Sequence, residues 1–366
     1  MGGAECDPAS RDLVPEADQD LKIVLAHARN KKRIVARAAN RTEAGGRRKG
    51  DPEYILSRMH RPSSFAVCGA GFIGTNLIER LLSDGASVSV IDHKPAPREF
   101  AGRTRWVQGD FCSLADLRLA LAGAEVAYHL VSTTVPGDDH VGLLQELADN
   151  ISATMRFLEV CREVNVRRIV FTSSSSVYGL QRTTPINESA DTTPISAHGI
   201  HKLALEKYLL LHRFNTDADV RILRLSNPYG PGQSLLGRQG FVAIAIGRML
   251  AGQPVMVRGG GSPVRDFIHV ADVCEALVAA ALTEAPPPVI NIGTGVGHSL
   301  ADVLADLASL SGRSTSTLDE PLRKADIPES VLDIGLAQRS LGFTPHVSMR
   351  EGLALTLAHH GVPVVG

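Results

Sequence analysis

At 366 residues, with 44% hydrophobic and 21% charged side chains, the chain can hold one large α/β domain or two moderate ones and is composed like an ordinary globular protein. Its formal net charge of −1 argues against a nucleic-acid binder over the whole surface and leaves room only for a local basic patch. No apolar run reaches the roughly 18 residues of a membrane helix, and the five scattered cysteines form neither a CxxC pair nor a metal-ligand spacing, which predicts a cytoplasmic protein without a structural metal.

Residues 1–61 stand apart from the rest. Leu21, Val24, Leu25 and Ala28, then Ile34, Val35 and Ala38, recur at helical spacing within 18–41. Lys31-Lys32-Arg33 interrupts them, and a basic, glycine-containing linker follows at 44–50. The segment reads either as a flexible extension or as an arm for an acidic partner or anionic surface. It carries no catalytic motif.

Phe65-Ala66-Val67-Cys68 is a short apolar strand that runs into Gly69-Ala70-Gly71-Phe72-Ile73-Gly74, and Asn76 to Leu82 then shows helical periodicity. Strand, glycine turn and helix in that order give a GxGxxG pattern its meaning. The glycines let the backbone pass under a pyrophosphate, which the free N–H groups and dipole of the helix start stabilise. The next strand, 87–91, ends in Asp92, about 20 residues on, where a carboxylate accepts the ribose hydroxyls of NAD and repels the 2′-phosphate of NADP. The bland reading of Asp92 is a strand-end turn residue. Strands at 105–108 and 126–132 follow, apolar enough for a parallel sheet covered on both faces. His129 inside the latter reads as a core or rim histidine. Asp110 is placed either to reach an adenine amino group or to cap a helix over 113–121.

A fifth strand, 166–171, ends in Thr172-Ser173-Ser174-Ser175-Ser176-Val177-Tyr178-Gly179, hydroxyls at the carboxyl end of a parallel strand where doubly wound folds place their ligands. Then come Ile195-Ser196-Ala197-His198-Gly199-Ile200-His201-Lys202 and a helix over 203–210.

With these residues in view, the chain resembles the extended short-chain dehydrogenase/reductases, in the NAD-dependent nucleotide-sugar epimerase/dehydratase group. The similarity runs over roughly 64–357. It is supported by Asn150-Ile151-Ser152-Ala153-Thr154, Arg224 to Gly232, Arg265-Asp266-Phe267-Ile268-His269-Val270-Ala271-Asp272, Asn291-Ile292-Gly293-Thr294-Gly295 and Arg323-Lys324-Ala325-Asp326, in that order. The resemblance implies a Rossmann-type doubly wound parallel sheet over about 62–225 and a smaller α/β substrate lobe, mainly 226–366, with segments returning to the sheet.

It also implies roles. Lys202 holds the nicotinamide ribose and lies one turn after the proton-transfer residue, on the same helix face. Ser174 orients the sugar oxygen to be oxidised, with Ser175 and Ser176 near enough to be confused with it. Asn227 binds the substrate diphosphate, and Arg265 and Arg323 clamp it through planar guanidinium forks. The alternative for these two arginines is surface ion pairing with Asp266 and Asp326. Dehydratases of the group carry two acids in the three positions occupied here by Ser174, Ser175 and Ser176, and decarboxylating members carry one. A serine triplet points to C4 epimerisation. The resemblance further implies a nucleotide-diphosphate sugar as substrate and a homodimer through helices at 150–161 and 203–211.

Three residues depart from the pattern. Cys68 stands at the first glycine of the phosphate turn, Ala153 at another glycine, and His198 at the position of the catalytic tyrosine. An imidazole transfers protons near neutral pH. Its nitrogen ends about 2 Å short of a phenol oxygen, which matters when a proton crosses about 2.6–3.2 Å. Lys202 favours its neutral, accepting form. His201 lies about 100° away around a helix and is a poor substitute. Three readings follow from this substitution: an active epimerase using His198, a scaffold that binds NAD and sugar nucleotide without turnover, and a related nucleotide-sugar oxidoreductase.

Overall fold

The computed structural model describes residues 62–132, 148–237, 239–323 and 326–365; the helix and basic linker expected within 1–61 lie outside them. Strand β1 (Ser64–Cys68) is apolar at consecutive positions because both of its faces are covered. Phe65 and Val67 enter one core and Ala66 and Cys68 the other, the two-residue alternation of a pleated strand.

The glycine turn leads into α1 (Phe72–Ser83), then β2 (Ser87–Asp92), β3 (Arg105–Gln108), α2 (Leu114–Leu121) and β4 (Val126–His129). The fourth strand therefore stops three residues before Ser132, where the expectation placed its end. Helix α3 (Ala153–Glu163), β5 (Arg168–Ser174), α4 (Ala197–Asn215) and β6 (Asp219–Leu225) complete the first half. Helix α4 begins six residues earlier than the periodicity predicts, because the Ser196 side chain caps it by accepting from the Gly199 N–H (3.1 Å). His198 thus lies in its first turn.

The remaining elements are β7 (Asn227–Tyr229), α5 (Phe241–Leu250), β8 (Val255–Arg258), β9 (Val264–His269), α6 (Val270–Leu282), β10 (Val289–Ile292), β11 (Gly297–Ser299), α7 (Leu300–Ser311), β12 (Thr317–Glu320), β13 (Glu329–Ser330), α8 (Gly335–Leu341) and α9 (Met349–His359). Seven strands form one sheet in the order β10-β6-β5-β4-β1-β2-β3, every pairing parallel. The chain winds outward from β1 through β3 and crosses back to β4, so the carboxyl ends of β1 and β4 flank the switch point where such sheets bind ligands. One face is covered by α1, α6 and α8, through residues such as Leu77, Leu277 and Ala337. The other is covered by α2, α3 and α4, through Leu117, Phe157 and Leu205.

The second half builds a smaller sheet of β11, β9 and β13 with β7 on β9, and a β8–β12 ribbon. Val242, Ile246, Leu307 and Leu353 pack there in a core of their own. Among the described residues no helix is long and apolar enough to cross a membrane.

Candidate active site

The glycine turn is shaped by one close approach. A Cβ on Gly74 would lie 2.0 Å from the Gly69 carbonyl oxygen, so the first turn of α1 sits directly on the loop that precedes it. Gly69 itself has φ +96°. Gly71, the N-cap of α1, offers no side-chain cap, and the first turn of Phe72, Ile73 and Gly74 carries no acid. The N–H groups at the start of α1 are thus left to an anion. Cys68, at the departure from the glycine pattern, is fully buried in the core under α2 and α3, where burial pushes its thiol pKa up.

Gly69 and Gly71 line a cavity of about 840 Å³ with Asp92, Asp110, Phe111 and Ala153. The structure therefore brings four of the expected cofactor residues to one wall system; Phe72, Ile73 and Gly74 form the helix start behind it. Asp92 Oδ2 accepts from the Ala70 N–H (2.7 Å) and Oδ1 from the Lys94 N–H (2.9 Å), so the same carboxylate serves a turn and faces the cavity. Asp110 is not the cap of α2: Ser113 is, accepting from the Asp116 N–H, while Asp110 Oδ1 accepts from the Cys112 N–H (2.8 Å). His129 is buried among Phe111, Phe157 and Phe171, edge to face. The Thr154 hydroxyl donates to the Asn150 carbonyl (2.6 Å), so His129 Nε2, 2.8 Å from that hydroxyl, is the donor and Nδ1 carries no proton. Burial first, and Lys202 second, hold its pKa down at about 3.

Beyond the cavity, β5 ends in Ser174, whose Oγ accepts from the Ser176 N–H (3.2 Å) and from Ser176 Oγ (3.0 Å). With both acceptor sites used from within the triplet, the Ser174 hydroxyl hydrogen is left to donate outward. The head of α4 is seated on this turn: a Cβ on Gly199 would lie 2.5 Å from the Ser176 carbonyl oxygen. The half-buried His198 precedes that glycine, and one turn on Lys202 is buried with Nζ donating to the Thr172 carbonyl (2.8 Å), 4.8 Å from the Phe171 ring centre. Burial draws its amine down to about 8 against the pull of Glu206. Ser174, His198 and Lys202 thus meet where β5 and α4 converge.

In the smaller lobe Asn227 Nδ2 donates to the Asp266 carbonyl (3.1 Å), and Arg265 Nη1 donates to the Val264 carbonyl (2.8 Å). Arg265 makes no pair with Asp266, whose buried carboxylate accepts from the Thr294 N–H and hydroxyl and from the Gly295 and Leu332 N–H groups. Arg323 does pair with Asp326, through Nη2 (3.2 Å) and Nε (3.3 Å), and is 51% exposed. Sequence reasoning did not single out Glu206, fully buried one turn after Lys202. The signal was there: a glutamate beside Leu205 and Leu209 on the apolar side of a helix.

A family profile described as the NAD dependent epimerase/dehydratase family matches residues 66–293. A UDP-glucose 4-epimerase of Mycolicibacterium smegmatis is 34% identical over 301 residues, 79% of this chain and 95% of that protein. Among solved structures, MoeE5 in complex with UDP-glucuronic acid and NAD is 34% identical, with a TM-score of 0.74 over 81% of this chain and 99% of that one. The UDP-glucose 4-epimerase of Thermotoga maritima, with UDP-glucose, is 29% identical, with a TM-score of 0.74 over 81% and 98%.

Proposed function

The chain belongs to the NAD dependent epimerase/dehydratase family, and from that membership we propose that it is an NAD-using UDP-hexose 4-epimerase whose proton-transfer residue is His198. The observation that carries the reading is the convergence of α4 on β5. It sets His198 and Lys202 one turn apart on a helix pressed against a turn of hydroxyls with no acid among Ser174, Ser175 and Ser176. Elimination and decarboxylation have no carboxyl group there to use. The nucleotide follows from the relatives, a UDP-glucose 4-epimerase and proteins solved with UDP-sugars.

The cavity fits the cofactor in three respects: the uncapped start of α1, a Gly71 with nothing near the place of a Cβ, and the Asp92 carboxylate at the end of β2. In this reading Gly69, Gly71, Phe72, Ile73 and Gly74 take the pyrophosphate, Asp92 the adenosine ribose, Asp110 the adenine and Lys202 the nicotinamide ribose. NAD, when bound, supplies a reversible acceptor for the hydrogen of the sugar C4. The chain's own residues do the rest. Ser174 points its free hydroxyl hydrogen at the sugar oxygen. His198 takes the 4-hydroxyl proton, directly or through one water that makes up its shorter reach, and returns it once the 4-keto sugar has turned its other face. Asn227, Arg265 and Arg323 hold the diphosphate, Arg323 exchanging Asp326 for phosphate oxygens.

A second copy of the chain is the partner we propose for the outer face of α4. Ile200, Tyr208, Leu211 and Phe214 are exposed there at helical spacing, Phe214 at 79%.

The test is incubation with UDP-glucose, UDP-galactose and UDP-glucuronic acid, following inversion at C4 by NMR and reduced nicotinamide by absorbance. His198→Ala should lose about 10²-fold or more in kcat; full activity in it removes His198 from the mechanism. The shorter reach of histidine favours one rival, a scaffold that binds without turnover. Binding of UDP-sugars without inversion, with turnover appearing in His198→Tyr, would establish that rival.

A further inference from the structure

Helix α4 grips β5 at two consecutive residues. Lys202 Nζ donates to the Thr172 carbonyl (2.8 Å), and the Ser173 hydroxyl donates to Glu206 Oε1 (2.5 Å). The next residue of β5 is Ser174. His198, Lys202 and Glu206 recur every four residues and so share one face of α4.

Glu206 is 1% exposed, and both of its oxygens are taken. Arg224 on β6 donates Nε to Oε1 (3.0 Å) and Nη2 to Oε2 (2.7 Å). Arg224 Nη1 in turn donates to the Tyr178 hydroxyl (3.0 Å), which donates to Asn291 Oδ1 on β10 (2.7 Å). Asn291 Nδ2 donates to the Ile186 (2.9 Å) and Asp333 (3.3 Å) carbonyls, so the chain of bonds ends among the segments that meet the smaller lobe. A buried ion pair is a weak source of stability, and apolar side chains of the same volume would hold α4 on β5 as firmly. What they would not supply is a fixed direction for the Ser173 hydroxyl and a negative charge beside the Lys202 amine.

We infer that Glu206 is a positioning residue of the epimerase site, locking the strand that ends in Ser174 to the helix that carries His198 and Lys202 and keeping the Lys202 amine an ammonium ion. The inference rests on the epimerase reading for its catalytic consequence. Burial works against the charged amine, and Glu206 is the group that opposes burial. Among the described residues the other groups near Lys202 are His198 and His201 on α4, Arg224 on β6, committed to Glu206, and His129 on β4, whose pKa burial and Lys202 hold low. Glu206 is therefore the anion in this set.

The experiment uses the full-length, NAD-loaded protein and Glu206→Gln, which keeps the shape and can still accept from Ser173 but carries no charge. The nitrogen-15 resonance of Lys202, assigned by its loss in Lys202→Met, should titrate about one pH unit or more lower in Glu206→Gln, a tenfold weaker hold on the proton. With UDP-glucose, kcat should fall by about tenfold to a hundredfold with KM little changed, and the alkaline limb of its pH profile should move down with the lysine. Glu206→Asp should bring the limb part of the way back, which a merely structural role would not do. Should the lone Arg224 cation keep Glu206→Gln from folding, Glu206→Gln with Arg224→Met removes both charges, and the Lys202 titration should again move down. A Lys202 resonance that titrates as in the native protein, in either folded variant, overturns the inference. If the native protein inverts no UDP-sugar, the epimerase reading falls, while the lysine titration, which needs no turnover, still decides the role of Glu206.

Discussion

Lys202 is the residue at which chemistry and stability pull apart. Its amine is buried, and its pKa is lowered from 10.5 to about 8. Between those values the unfolded chain binds a proton that the folded chain does not, so folding stability should rise as pH climbs from about 8 to 10.5. At about 1.4 kcal/mol per pH unit the gain is on the order of 3 kcal/mol. Lys202→Met fills the space without the charge. It should be more stable than the native protein at neutral pH in urea unfolding, lose that advantage as the native protein gains, and have no epimerase activity. At this scale the sequence was legible in placement: the glycine turn and Asp92, read from type and spacing, line one cavity, and Ser174 and Lys202, named by resemblance, lie where β5 meets α4. The burial of Glu206 is legible from its place beside Leu205 and Leu209, but not what holds it, because its partners, Ser173, Arg224 and, through Arg224, Tyr178, come from other elements. Arg323 and Asp326 fit either a phosphate clamp or an ion pair in the sequence, because an exposed guanidinium three residues before a carboxylate suits both; the structure shows the pair.

At the scale of elements, the turn between β1 and α1 separates two demands that glycine meets for different reasons. At Gly71 φ is −76°, which any residue adopts, and nothing lies within 4 Å of the place of a Cβ. Gly71→Ala should fold with an unchanged thermal midpoint and bind NAD more weakly, because the methyl group enters the cavity. At Gly74 a Cβ would meet the Gly69 backbone, which cannot move without uncoupling α1 from β1. Gly74→Ala should lower the thermal midpoint as well as NAD affinity, and calorimetry of the two variants distinguishes the causes. Strand β1 is legible because an apolar run flanked by glycine has few other uses, whereas β5, expected over 166–171, runs from Arg168 through the hydroxyls to Ser174. Helix α4 was read six residues short, since the bulk of its periodicity starts at Leu203 and only the Ser196 cap marks the true start. The extent of β4 was overread because Leu130 and Val131 pack against the two cores, and the Leu130 N–H still donates to the Cys68 carbonyl (3.0 Å), although the paired register ends at His129.

For the molecule as a whole, the apolar stripe on α4 lies on the side of that helix opposite Lys202 and Glu206. If a second copy covers it, as proposed, Leu211→Glu with Phe214→Glu should yield a monomer in sedimentation equilibrium that still binds NAD, because neither side chain belongs to the core. Unchanged mass would put the partner surface elsewhere.

The position of β10 at the end of the seven-stranded sheet has a consequence for how the protein is made. The strand beside β6 and the α6 helix that covers one face are encoded more than forty residues after β6 ends. A nascent chain that has emerged only as far as Leu225 presents an unpaired β6 edge and a bare apolar face where Val273, Leu277 and Ala280 belong. A fragment of residues 62–225, although it holds the glycine turn at 69–74, Asp92, Ser174, His198 and Lys202, should come out of expression aggregated, and a fragment ending after Ile292 should be markedly more soluble. Completion of the nucleotide half then waits on synthesis of much of the smaller lobe, a high-contact-order arrangement in which translation rate and chaperone holding set the yield of native protein.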